Sequence, residues 1–269
     1  MKEQIEKFKE YLIENERSQN TIDRYLRVVR LYFNSYEELT KSNLIQYKQE
    51  LFKQGKKPKT VHNTCVALNQ FCRFLGKPEL CVKSVKIHQS SSVENVISVN
   101  EYNQMLEGLK KSGNIRGYFM IKFLAKTGAR CSEFTQLTKE CLETGYCEMW
   151  TKGKIRRIYI PKSLIEESKD YFKTVEGNLL FPSKIHGGPI TNRGIASVIR
   201  HWAEKYGIRK EVAHPHSFRH LFAIEFLKQN SNIALLADLM GHSSVSTTAI
   251  YLKLSKEEQM KQFNEASNW

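Results

Sequence analysis

No C-x-x-C pair occurs among the six cysteines, Cys65, Cys72, Cys81, Cys131, Cys141 and Cys147. The sequence therefore suggests neither a zinc ribbon nor a disulfide framework, and the thiols are expected to be reduced. No apolar run approaches the roughly 20 residues that span a bilayer, and no long basic amphipathic segment marks a membrane-surface helix. The chain opens on "MKEQIEKFKE", charged where a secretory signal peptide is apolar, so a cytoplasmic location is expected. Acidic residues are the scarcer charge: 28 Asp and Glu face 42 Lys and Arg, for a formal charge of +14 and a pI near 9.4. Such an excess suits a polyanionic partner, with nucleic acid the first candidate. No internal repeat is present.

At 269 residues, two domains of unequal size are expected, one large domain being the alternative. Apolar residues recur at helical spacing in the first segment, at Ile5, Phe8, Leu12 and Ile13 and then at Ile22, Tyr25, Leu26, Val29 and Phe33, with Ser18 and Asn20 between. "SNLIQYKQELFKQG" and "TVHNTCVALNQFCRFLG" add two helices, each stopped by glycine. Residues 1–85 thus read as a small helical bundle. A polar, serine-rich linker follows at 86–97, and a larger domain at 98–269. In that domain "CEMWTKGKIRRIYIP" alternates like a hairpin around a "TKGK" turn, and the flanking segments are helical.

Several side chains invite a chemical reading. His216 and Arg219 stand three apart, so on a helix they leave from one face and can reach one phosphate; the plainer reading is a solvated helix start. Arg130 follows the helix-ending Thr127-Gly128, with Glu133 three residues on, either held rigidly or merely salt-bridged. Lys152 lies at the hairpin turn, where lysine is commonplace. His242 falls just past a helix closed by Gly241 and capped by Ser231 or Asn232, where a protonated imidazole is favoured. Ser243 to Thr248 interrupt helical propensity before Tyr251, which by itself reads as an amphipathic core tyrosine. His214, His216 and His220 raise a zinc reading, but no H-E-x-x-H arrangement or nearby cysteine completes a ligand set, so no metal is expected.

Taken in order, "TGARCSE", "TKGKIRRIYIP", "PHSFRHLFA" and "MGHSSVSTTAIY" resemble the tyrosine recombinase, or phage integrase, family, including its Xer-like and mobile-element members. The helical first part resembles that family's SAM-like core-binding domain. The resemblance implies a mainly α fold, with a SAM-like helical domain joined to a mainly helical catalytic domain carrying a small antiparallel β-sheet. It implies that Arg130 and Arg219 grip one DNA phosphate and that Tyr251 attacks it. Lys152 would protonate the departing 5′ oxygen, His216 would accept or share the tyrosine proton, and His242 would hydrogen-bond the phosphate. Glu133, His220 and Asp238 would support them. Lys154 is the alternative hairpin lysine; Lys152 keeps the family's lysine-glycine pair.

The implied activity is site-specific cutting and rejoining of double-stranded DNA through a 3′-phosphotyrosyl intermediate, with no metal, nucleotide or other cofactor and no membrane partner. It serves integration, excision, inversion or resolution. A type IB topoisomerase and a catalytically idle DNA-binding protein of this fold are the alternatives. Exchange between paired sites would need a homotetramer on DNA. "LSKEEQMKQFNEASNW" offers a capping box, Ser255 to Glu258, for a terminal helix that docks on a neighbouring subunit or on its own domain. The Ser/Thr run is expected to act as an adjustable joint for the phenol. The absence of an added arm-binding domain favours a simple core-site enzyme.

Overall fold

The computed structural model describes residues 2–87, 95–151, 154–185, 187–252, 264–265 and 267. Lys152, the middle of the expected linker and nearly all of the expected terminal helix lie outside them. The chain divides into two compact units, Met1–Gln89 and Ser90–Trp269.

The first unit is a bundle of α1 (Lys2–Glu14), α2 (Gln19–Phe33), α3 (Lys41–Lys53) and α4 (Pro58–Phe74), followed by a 3₁₀ turn, Pro78–Leu80. Its starts follow local chemistry: the Thr40 hydroxyl accepts the Asn43 N–H at 3.1 Å, and Pro58 occupies the first turn of α4. The apolar stripes meet in one core containing Phe8, Leu12, Val29, Leu44, Leu68 and Phe71. Each such side chain contributes about 1.5–3 kcal/mol on burial. Polar tips inside it are satisfied. The Asn69 amide donates to the Val82 carbonyl and accepts the Val82 N–H, both at 2.8 Å, and so fastens the segment after the bundle.

The second unit begins with α5 (Val99–Lys111) and α6 (Ile115–Thr127), then two short helices, α7 (Cys131–Phe134) and α8 (Glu140–Thr144). Strands β1 (Tyr146–Thr151) and β2 (Lys154–Tyr159) pair antiparallel, Tyr146 opposite Tyr159 and Thr151 opposite Lys154. After them come α9 (Lys162–Thr174), α10 (Asn192–Lys205), α11 (Pro215–Gln229), α12 (Ile233–Met240) and α13 (Val245–Thr248), with 3₁₀ turns at Lys210–Val212 and Ala249–Leu252. Ile97, expected at the end of the linker, is buried in this unit's core, and its N–H donates to the Ser217 hydroxyl at 2.7 Å. The following Ser98 and Glu101 form a complete capping box for α5. The Glu101 carboxylate also accepts Arg209 at 2.7 and 2.9 Å, which with the Ser98 donors holds its pKa near 2 against the cost of burial.

Two expectations are corrected here. Cys141 and Cys147 are joined in a disulfide, their Cα atoms 4.9 Å apart. The helix α8 ends at Gly145 in the left-handed region, φ +79°, and turns the chain directly back into β1. That reversal brings together two cysteines that spacing alone leaves unrelated; the other four are free thiols. The Ser/Thr run, expected to interrupt helical structure, forms α13 instead. The Ser244 hydroxyl accepts the Ser246 N–H, and Thr248 is fully buried. Hydroxyl residues suit helix caps, and tertiary burial overrides their weak helix propensity.

Candidate active site

Two helix-ending glycines and one buried carboxylate organise the site. Gly128 closes α6 with φ +60°, and Arg130 becomes the cap of α7. The Arg130 N–H donates to Glu133 Oε2 at 2.7 Å and its guanidinium to Oε1 at 2.8 Å. From β2, the Arg156 guanidinium donates to the same carboxylate. Glu133 has essentially no exposed surface. Burial pushes its pKa up, but the Arg156 contact, the Arg130 N–H and both positive charges more than offset this, so it stays ionised below the ordinary glutamate value.

Two guanidiniums therefore share one carboxylate, and a third lies beside them. Arg219, projecting from α11, donates to the Gly128 and Met240 carbonyls at the ends of α6 and α12. Arg130 donates to the Gly241 carbonyl, and Arg156 to the Leu239 carbonyl at 2.6 Å. The carbonyl-rich end of α12 thus receives all three, as cations at a helix C-terminus should. Burial, and then Arg156 and Arg130, lower the Arg219 pKa to about 10, which still leaves it charged at neutral pH. The result is a rigid, net positive cluster suited to an anion.

His242 follows Gly241, which has φ +59°. Its Nε2 lies 3.2 Å from the Arg219 guanidinium and its Nδ1 2.8 Å from the Thr248 hydroxyl. A guanidinium only donates, so Nε2 accepts, and Nδ1 carries the proton toward Thr248. The expectation of a protonated imidazole is corrected: burial and the charges of Arg219, Arg130 and Arg156 pull its pKa to about 4 and outweigh the helix end. The cap of α12 is Asn232, whose side chain accepts the Leu235 N–H at 3.0 Å.

Tyr251 lies in the 3₁₀ turn after α13. Its ring is partly buried against the α11–α12 cluster containing Ala223, Leu236 and Met240, so the core reading of this tyrosine is also true of its ring. Its hydroxyl is 2.6 Å from His220 Nδ1. Burial pushes the phenol up to about 12, against a smaller opposing pull from Arg219. His216, one helical turn before His220, is exposed. Crowding of the ring by surrounding protein, and then the charges of Arg219, His214 and Arg130, lower its pKa even so. The phenol is thus paired with His220 and not with His216.

Of the expected residues, the fold brings together Arg130, Glu133, Arg219, His220, His242 and Tyr251, with His216 at the edge. Asp238 is exposed and contributes its backbone carbonyl to Gly241, not its carboxylate. Lys152 lies outside the described residues; Lys154 opens β2. Arg156 and Thr248 were not singled out from the sequence. Strand alternation holds the signal for Arg156: Ile155 and Arg157 are exposed while Arg156, Ile158 and Ile160 face inward, so the arginine sits on the apolar face. Among the described residues, no group of three or more His, Cys, Asp or Glu is arranged to hold a metal ion, and no helix is long and apolar enough to cross a membrane.

The fold and the site define a two-unit helical protein with an arginine-lined anion site beside a tyrosine. Residues 95–258 match the Phage integrase family and residues 5–79 its N-terminal SAM-like domain. The chain belongs to the phage integrase family. It is 27% identical over 288 residues to the tyrosine recombinase XerD of Staphylococcus saprophyticus, with 97% of each chain covered, and 25% identical to that of Staphylococcus haemolyticus at the same coverage. The fold is similar to a lambda integrase dimer bound to a core site (TM-score 0.74, 16% identity, 93% and 94% of the two chains). It is similar also to XerH recombinase bound to a palindromic difH substrate (TM-score 0.70, 23% identity, 93% and 79%). The Tn1549 transposon integrase in complex with transposon right-end DNA gives a TM-score of 0.73 at 15% identity, over 96% and 97%.

Proposed function

We propose that this chain is a site-specific tyrosine recombinase that cuts and rejoins double-stranded DNA, with Tyr251 as nucleophile. Arg130 and Arg219 grip the non-bridging oxygens of the scissile phosphate, and the Tyr251 oxygen attacks phosphorus to give a 3′-phosphotyrosine. Lys152, preferred over Lys154, protonates the departing 5′ oxygen. His242 steadies the phosphate. Glu133 positions Arg130, while Asp238 has at best an indirect part.

The observation that carries this reading is the single connected cluster in which Arg130 and Arg219 converge on the end of α12 while Tyr251 follows from the same segment. Attack builds negative charge on the equatorial phosphate oxygens, and fixed cations stabilise it without reorganising during the step. A phenolate leaves more readily than a sugar alkoxide, so an incoming 5′-hydroxyl can reverse the bond and rejoin the strand without ATP. The DNA in the XerH, Tn1549 and lambda integrase complexes supports duplex DNA as the partner.

The first 85 residues bind DNA as a core-binding domain, and exchange takes place in a homotetramer on paired sites. The test is covalent capture: nicked duplexes from a randomised pool are selected for denaturant-resistant attachment to the protein. Attachment is expected for the wild type and lost in Tyr251→Phe, which still binds the selected duplex. An idle DNA-binding protein would capture nothing, and a topoisomerase would relax supercoils without exchanging strands between two captured sites.

A further inference from the structure

Two histidines lie one turn apart on α11, and their rings are 6.5 Å apart. His216 is exposed; His220 is partly buried, and its ring lies 5.6 Å from that of Tyr251, with Nδ1 within 2.6 Å of the phenol oxygen. The phenol has a proton to give and neutral imidazole a lone pair to receive it, so Tyr251 donates and the His220 proton resides on Nε2. We propose that His220, and not His216, is the catalytic group that takes the Tyr251 proton during strand cleavage and returns it on rejoining. This rests on the recombinase reading above and deepens it.

The step balances within the chain. As the Tyr251 oxygen forms its bond to phosphorus, its proton passes to His220 Nδ1. The bond from phosphorus to the 5′ oxygen breaks, and that oxygen takes a proton from the general acid, Lys152. On rejoining, the 5′-hydroxyl gives its proton back to the lysine, the phosphotyrosine bond breaks, and the phenolate recovers its proton from His220. The geometry is already within range for general-base transfer.

The surroundings explain why the transfer waits for DNA. His220 is held near a pKa of 4 by burial first, and then by the positive or ionisable groups around it: His216 and His214 from the start of α11, the adjacent Arg219, and His242 beyond α12. A phosphodiester between Arg130 and Arg219 brings a negative charge that offsets this repulsion. Basicity at Nδ1 therefore rises when the substrate is seated.

The test is single-turnover cleavage of a captured duplex carrying a 5′-bridging phosphorothiolate at the scissile position. Its thiolate leaves without acid assistance, so the rate reports nucleophile activation. His220→Ala is expected to cleave about 100-fold more slowly than wild type, with duplex affinity unchanged. His220→Asn keeps an acceptor near the phenol but no base; it is expected to stay slow and to lose the rise in rate with pH. His216→Ala is expected to cleave this substrate at close to the wild-type rate. Triazolylalanine at position 220, with the same ring shape but far weaker basicity, should be slow and separates chemistry from folding. The inference is overturned if His220→Ala cleaves as fast as wild type or faster, or if the asparagine or triazole variant matches wild type in rate and pH profile. Failure of the wild type to be captured would instead overturn the recombinase reading and this inference with it.

Discussion

Arg156 and Glu133 form an ion pair in which both side chains are almost wholly withdrawn from solvent, at 7% and 1% exposure. Neither residue is proposed to touch DNA, yet this pair fixes the carboxylate on which Arg130 rests. Arg156→Met, similar in bulk, should remove the contact while Arg130 still partly compensates Glu133. A loss of about 3 kcal/mol in unfolding free energy is expected, read by urea denaturation. Cleavage should fall more than duplex affinity does, because Arg130 loses its fixed geometry before it loses its charge.

Gly241→Ala is expected to be more damaging than its size suggests. The residue has φ +59°, and an added Cβ would meet the Arg156 side chain, its Nε at 2.6 Å. The left-handed backbone alone costs about 1 kcal/mol or more for a side chain. The clash adds to this by pushing Arg156 from beneath the turn that carries His242. Thermal unfolding and covalent capture should both be impaired, whereas alanine at the open Gly177 position, also at positive φ, should cost only the backbone term.

Thr248 is tested by valine, which keeps the shape and removes the hydroxyl. The His242 Nδ1 proton would then lack its acceptor, and the tautomer that presents Nε2 to Arg219 would no longer be favoured. A drop of about 5-fold in cleavage, with affinity for the selected duplex preserved, is the expected result; a loss of one hydrogen bond near 1 kcal/mol sets that scale. Unchanged cleavage would show that His242 is oriented by Arg219 alone.

Much of this site was legible in the chain, and the reasons for the gaps are physical. Gly128 and Gly241 mark helix ends in any reading, so Arg130 and His242 stand out as residues placed just beyond them. Ile22, Leu26 and Val29 announce their helix by period alone. Arg156 escaped because an arginine beside an arginine looks solvated until the strand's inward face is assigned. Thr248 escaped because its partner lies across a turn whose path depends on tertiary burial. The same limit hid the Cys141–Cys147 bond and the contact of Tyr251 with His220 rather than His216, since spacing gives the face of a helix but not what packs against it.

His220 and His242 both have their pKa lowered to about 4. The unfolded chain binds protons at these rings near pH 6.5, while the folded chain resists them, so stability is full above that value and is lost as pH falls toward 4. Glu133, whose pKa is also lowered, adds a further loss below the ordinary glutamate range. The urea midpoint of the wild type should decline between pH 6.5 and 4. His242→Asn should flatten part of that decline; an unchanged slope would mean that the imidazole is charged in the native state.

The Cys141–Cys147 bond makes the last prediction, because it closes the base of the β1–β2 hairpin. Alkylation of the unfolded, unreduced protein should label Cys65, Cys72, Cys81 and Cys131 and spare this pair. A loop this short restricts the unfolded chain by about 2 kcal/mol, so reduction should lower the unfolding midpoint by a few degrees. Both sulfurs are buried, and the register of β1 and β2 is set by their own six-residue ladder. Reduction should therefore cost stability without abolishing capture. Labelling of all six cysteines before any reductant is added would mean that the two thiols pack side by side unbonded, and the hairpin would then rest on its ladder, Arg156 and the burial of Met149 and Ile158.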